Sequence, residues 1–82
     1  MKRSGSIKTT IIANPIAGNG RGLRYAEALG RALRQRGIET VFHVTAKAGD
    51  GQRLAAAVEG GCVAVVGGDG TVNEVVNGMG ER

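Results

Sequence analysis

Tryptophan is absent from the 82 residues, and tyrosine and phenylalanine occur once each, as Tyr25 and Phe42. A core must therefore be assembled from small aliphatic side chains rather than from aromatic anchors. Cysteine also occurs once, as Cys62, so an internal disulfide is excluded and nothing points to an oxidising compartment. Its place at the head of an apolar run predicts a small buried hydrophobe. The single histidine, His43, has no second His, Cys or Asp at ligand spacing, which argues against a metal site there. No serine–histidine pair has the context of a hydrolase triad. No stretch approaches the ~20 apolar residues that cross a bilayer. The basic start, Met1-Lys2-Arg3-Ser4-Gly5-Ser6, is not followed by the long apolar segment of a secretory signal. Residues 1–6 read as a flexible N-terminus and residues 7–82 as one small cytoplasmic domain.

Glycine is abundant, with 15 occurrences, too aperiodic for collagen and set in a chain too apolar for a disordered linker. Many glycines beside small aliphatics suit close helix-on-sheet packing and backbone that approaches a ligand. The net charge of +4 is moderate, and no nucleic-acid partner is read from it. Arg21, Arg24, Arg31, Arg34 and Arg36 crowd into one segment. They fit either a solvated helix face or a surface for an acidic partner, such as a phosphate ligand or an anionic membrane met peripherally.

Apolar runs alternate with segments of helical period. Ile7–Ala13 is β-branched and predicts a first strand, ended by Asn14-Pro15 because proline lacks a donor and restricts the residue before it. Ile16–Gly22 reads as a loop. From about Arg21 to Arg36, Leu23, Ala26, Leu29, Gly30 and Leu33 share one helical face, and Gly37 supplies the stop. Glu39–Thr45 predicts a second strand that looks like an edge, and Gln52–Glu59 a short helix after a loop containing Asp50. Cys62–Val66, apolar throughout, predicts a third strand inside the sheet with both faces covered. Gly67–Gly70 reads as a tight loop and Thr71–Asn77 as a helix closed by Gly78. The sum is a three-layer α/β fold, β-α-β-α-β-α, with a parallel sheet in the order 2-1-3. In that order the loops after strands one and three diverge from the same end of the sheet and leave a crevice between them.

Both of those loops are rich in glycine. In Gly67-Gly68-Asp69-Gly70-Thr71, missing side chains let backbone approach a ligand, and the helix that follows attracts anions through its free N–H groups. A plain strand-to-helix turn needs fewer glycines and no carboxylate among them. Asp69 beside a phosphate requires either an intervening magnesium ion or a general-base role toward an attacking hydroxyl. Thr71 can cap the helix or donate to a phosphate oxygen. Glu74, three residues on, suits a capping box with Thr71, or else a metal-side or catalytic role. The Asn14–Gly22 loop matches neither G-x-G-x-x-G, since Leu23 takes the last glycine's place, nor a Walker A loop, which needs Lys-Ser or Lys-Thr. Asn14 at the strand's end is placed to hold a nucleotide, a neighbouring loop or simply its own turn.

Two blocks, Ile11-Ile12-Ala13-Asn14-Pro15 with Gly18 and Gly20, and Gly67-Gly68-Asp69-Gly70-Thr71-Val72-Asn73-Glu74-Val75-Val76-Asn77-Gly78, resemble the start of the diacylglycerol kinase catalytic domain. Thr45 with Gly49-Asp50 is similar to the family's intervening threonine and loop. The resemblance runs from about Lys8 to Gly78. It implies transfer of the ATP γ-phosphate to a lipid hydroxyl with magnesium (Mg2+). It makes Asn14, Thr45, Gly68, Asp69, Gly70 and Thr71 nucleotide-contacting positions, with Gly67 in the same loop and Glu74 at the acidic position of the signature. A weaker likeness to NAD kinases and phosphofructokinases rests on Gly67-Gly68-Asp69-Gly70 alone.

Family members carry a second, mostly β domain that closes the cleft, and these 82 residues hold none of it. Phosphoryl transfer needs clamping from several sides, so this stretch is expected to be one wall of a cleft and inactive by itself. The alternative from another class is a non-catalytic nucleotide-binding or assembly module. That module would act through a partner chain completing the cleft, and an unfinished sheet edge leaves pairing with a second copy open.

Overall fold

The computed structural model describes residues 8–80. The expected flexible N-terminus at 1–6, and Ile7 at the expected start of the first strand, lie outside them. The elements run β1 (Thr9–Ala13), α1 (Ala17–Gly20), α2 (Gly22–Gln35), β2 (Thr40–Val44), α3 (Asp50–Ala56), β3 (Cys62–Val66) and α4 (Asp69–Met79). The three strands are parallel in the order β2-β1-β3, so the expected α/β class and strand order hold.

β1 forms the centre because both other strands pair with it, and Ile11, Ile12 and Ala13 are fully buried. Side chains alternate across a strand. Ile11 and Ala13 accordingly pack with Ala26 of α2, among Leu29, Leu33, Phe42, Ala64 and Val66. Ile12 faces the other way, onto Ala55 of α3 and Val75 of α4. Helices thus cover both faces, giving three layers. α2 buries Gly22, Ala26 and Gly30 at every fourth position, small residues that let it lie close to the sheet, and keeps its arginines exposed.

Several local expectations fail for identifiable reasons. The Ile16–Gly22 segment is not an open loop, since α1 folds it into one tight turn with Gly18 and Asn19 left-handed at φ 61° and 60°. β3 is not internal among the described residues. Its apolar run answers to helices on both faces: Ala64 and Val66 pack with the α2 cluster, Val63 and Val65 with the α3 and α4 cluster. Cys62, expected to be buried, is exposed at the amino end of that strand, beside the Gly60-Gly61 turn. α3 begins at Asp50, not Gln52, and ends at Ala56.

α4 departs most. Asp69 and Gly70 belong to its first turn, and Gly78 does not close it, because the helix runs on to Met79. Gly78 is buried where α4 crosses α3, and a Cβ there would run into the Gln52 carbonyl and lie 2.9 Å from the Ala55 Cβ. Asn77-Gly78 looks like a stop signal locally, yet the helix–helix contact is what requires the glycine.

Candidate functional site

The register sets Ala13 opposite both Val44 and Val66. The residues that follow on the three strands, Thr45, Asn14 and Gly67, therefore come into a row at the carboxyl end of the sheet. That is where open α/β sheets place their ligands. Thr45 is buried, its N–H donates to the Ala13 carbonyl at 2.8 Å, and its hydroxyl turns to the same oxygen at 3.4 Å. Asn14 does both of the intramolecular jobs open to it. Its Oδ1 accepts from the Ile16 N–H at 3.1 Å, shaping the turn, and its Nδ2 donates to the Thr71 Oγ1 at 3.2 Å across the crevice. Gly67 makes room for that threonine, since a Cβ at 67 would stand 2.7 Å from the Thr71 Cβ.

The expected capping box is absent. The residue capping α4 is Gly68, no side chain caps the helix, and Thr71 sits inside its first turn. Glu74 instead reaches across to the next loop. Its Oε2 accepts from the Gly49 N–H at 2.9 Å and its Oε1 from the Gly51 N–H at 3.1 Å. It caps α3, not α4. A buried carboxylate in the same loop completes the job. Asp50 Oδ2 accepts from the Ala46 and Lys47 N–H groups at 2.7 and 3.0 Å, and its Oδ1 pairs with the Arg53 guanidinium at 2.7 Å. The Ala46 N–H first, then Arg53 and the Lys47 N–H, hold the Asp50 carboxyl down to about 2.

At the start of α4 the situation is reversed. A helix leaves its first-turn N–H groups without intrahelical acceptors. Among the described residues no acceptor reaches those of Asp69, Gly70 and Thr71. Beyond their own chain neighbours and, for Gly70, the backbone of its helix, Gly68 and Gly70 have no atom within 4 Å of where a Cβ would stand, and neither has a positive φ. Their glycines answer neither to strain nor to packing, so the space beside them is open. Asp69 is exposed there, and its carboxylate meets no hydrogen-bond or ion-pair partner among the described residues.

The expected site residues divide between two depressions. Asn14, Thr45, Thr71 and Glu74 line a crevice of about 230 Å³ together with Pro15, Ile16 and the Ala46–Ala48 backbone turn. Asp69 and Gly70 line a separate groove on the outer side of α4, with Val72, Asn73 and Val76. Gly67 and Gly68, which precede α4, line neither of them. Sequence reasoning passed over Lys47, which lines the crevice. The available signal was its position in the loop after the second strand, at the same end of the sheet. No group of three metal-ligating side chains occurs among the described residues. A lone free carboxylate beside open amides suits a cation that arrives with a phosphorylated ligand.

Residues 8–82 match the model of the diacylglycerol kinase catalytic domain. The chain is 37% identical over 75 residues to the diacylglycerol kinase of Bacillus subtilis strain 168, covering 88% of this chain and 25% of that protein. It thus spans about a quarter of the length of this relative. The matched region contains every residue of the crevice and of the Gly67–Thr71 turn, and the chain belongs to the diacylglycerol kinase catalytic domain family.

Proposed function

We propose that this chain forms the nucleotide-binding wall of an ATP-dependent lipid kinase. In that reaction a lipid hydroxyl oxygen forms a bond to the γ-phosphorus of ATP, the bond to the β-phosphate oxygen breaks, ADP leaves and the hydroxyl proton passes to a base. The observation that carries the reading is the first turn of α4, where unengaged amides adjoin two glycines that neither strain nor packing requires. Such a turn receives phosphate oxygens. Magnesium, when bound with ATP, would neutralise charge on the phosphates, and Asp69 would hold it or accept the hydroxyl proton. Asn14 and Thr71 bracket the crevice from the other side. The B. subtilis relative is a diacylglycerol kinase by name, which supports a diacylglycerol-like acceptor.

The test is calorimetric titration of the folded chain with Mg-ATP, beside Gly68→Val and Asp69→Asn. Saturable binding is expected for the wild type, with loss in Gly68→Val, whose side chain enters open space and leaves the fold intact. Equal binding by Gly68→Val would sink the phosphate-turn reading. Binding without any phosphoryl transfer, even in a polypeptide that includes the second domain, would favour the non-catalytic module.

The outer face of α2 extends the reading to the membrane. Arg21, Arg24, Arg31, Arg34 and Arg36 are exposed, and none pairs with a carboxylate among the described residues. Unpaired guanidinium groups attract anionic headgroups. No helix among the described residues is long and apolar enough to cross a membrane, so contact of this kind would be peripheral. Binding to phosphatidylserine vesicles should fall with salt and with neutralisation of Arg24 and Arg31. Undiminished binding by that double variant would count against it.

A further inference from the structure

The wall of the crevice facing α4 is the loop between Thr45 and Asp50, and its side chain of opposite character to Glu74 is Lys47. The loop is pinned at several points. Asp50 holds the Ala46 and Lys47 N–H groups, Glu74 holds those of Gly49 and Gly51, and Arg53 fixes Asp50 in turn. Both neighbouring carboxylates are thereby occupied with backbone amides, and the ammonium group of Lys47 makes no ion pair among the described residues. A free cation on a fixed loop, lining the same 230 Å³ crevice as the Thr71 and Asn14 side chains, has the character of an anion ligand.

We propose that Lys47 is a further binding residue of this site, meeting the nucleotide's phosphate groups from the side opposite the first turn of α4. The proposal rests on the nucleotide reading above and adds to it a second, cationic wall. Asp50 and Glu74 act as positioning residues for that wall: they hold the loop, and Lys47 makes the contact. Its charge offsets that of Glu74, which lines the same crevice and would otherwise repel a polyphosphate.

The experiment is calorimetric titration of the whole 82-residue chain with Mg-ATP, inorganic tripolyphosphate and adenosine, using wild type, Lys47→Gln and Lys47→Arg, each checked for folding by circular dichroism. Lys47→Gln should weaken Mg-ATP and tripolyphosphate by about 10- to 100-fold, the effect of losing one charge-assisted contact. The salt dependence should become shallower, while Lys47→Arg retains most of the affinity and adenosine is unaffected by either change. Wild-type affinity for both phosphates in Lys47→Gln overturns the role of Lys47 and leaves the nucleotide site standing. Absence of saturable Mg-ATP binding in folded wild type overturns the nucleotide reading, and this inference with it.

Discussion

Two loops border the crevice, and they treat their backbone amides in opposite ways. In the loop running into α3, four N–H groups, those of Ala46, Lys47, Gly49 and Gly51, end on two carboxylates, Asp50 and Glu74. In the turn running into α4, the N–H groups of Asp69, Gly70 and Thr71 end on nothing among the described residues. Chemically the two are alike, since each is a loop of small residues feeding a helix at the carboxyl end of the sheet. One anion site is filled by the protein's own side chains, and the other is left for a ligand. The difference lies in where the nearest carboxylate points. Glu74 stands on α4, one turn beyond the open site, yet turns to the neighbouring loop. Asp69 adjoins the open amides and engages none of them.

The largest effect is expected where the filled site is emptied. Glu74→Ala strips the acceptor from the Gly49 and Gly51 N–H groups, the second of them on a buried residue. Losing a charged acceptor for such donors should cost roughly 2–3 kcal/mol, read as a lower urea midpoint. Glu74→Gln, which keeps one carbonyl oxygen, should fall between that and wild type. If Glu74→Ala were as stable as wild type but failed to bind Mg-ATP, the residue would belong to the ligand and the contrast between the loops would collapse.

A smaller effect, confined to acid, is expected from Asp50. Its folded-state carboxyl titrates at about 2, below the ~3.9 of an unfolded chain. A depressed carboxylate stabilises above the unfolded value, and that contribution is lost as pH falls from about 4 towards 2. Asp50→Asn should therefore lower the urea midpoint at pH 7, with the gap to wild type closing across this acid window. A gap that persisted unchanged at pH 2 would mean that the carboxylate's charge is not what the loop amides use.

Much of this was legible in the residues. Short, well-separated β-branched runs gave the strands, and the edge-like second strand gave the order, although the third strand, read as internal from its apolar run, lies at an edge among the described residues. The crevice followed from the order alone. What could not be read was which carboxylate serves which loop. Thr71-Val72-Asn73-Glu74 has the spacing of a capping box, but the choice of Glu74 was settled by the approach of α3, which local spacing does not encode. The same crossing keeps Gly78 inside α4 and hides the helix's true end. The structure brings Asn14, Thr45, Thr71 and Glu74 to one crevice, and the local reading missed which backbone amides Glu74 holds. Long-range partners, 23 and 25 positions apart in the case of Glu74, are where local rules give out.

The smallest effect bears on the bond that joins the two halves of the crevice. Asn14 Nδ2 donates to Thr71 Oγ1, so the hydroxyl of Thr71 is an acceptor toward β1 while its proton remains available to a ligand. Thr71→Val keeps the branched shape that Gly67 accommodates and removes only the oxygen. A half-buried neutral hydrogen bond of this kind is worth about 0.5–1.5 kcal/mol, and the loss should be near the lower end because Asn14 keeps its bond to the Ile16 N–H. Stability and Mg-ATP affinity then separate two uses of one atom. A loss of stability with affinity intact makes Thr71 a strut, and it would place the open site wholly on the backbone of the α4 turn. A loss of affinity well beyond the loss of stability makes the hydroxyl a ligand contact. In that case Asn14 is the residue that orients it, and the contrast between a filled loop and an open one extends to the side chains as well as the amides.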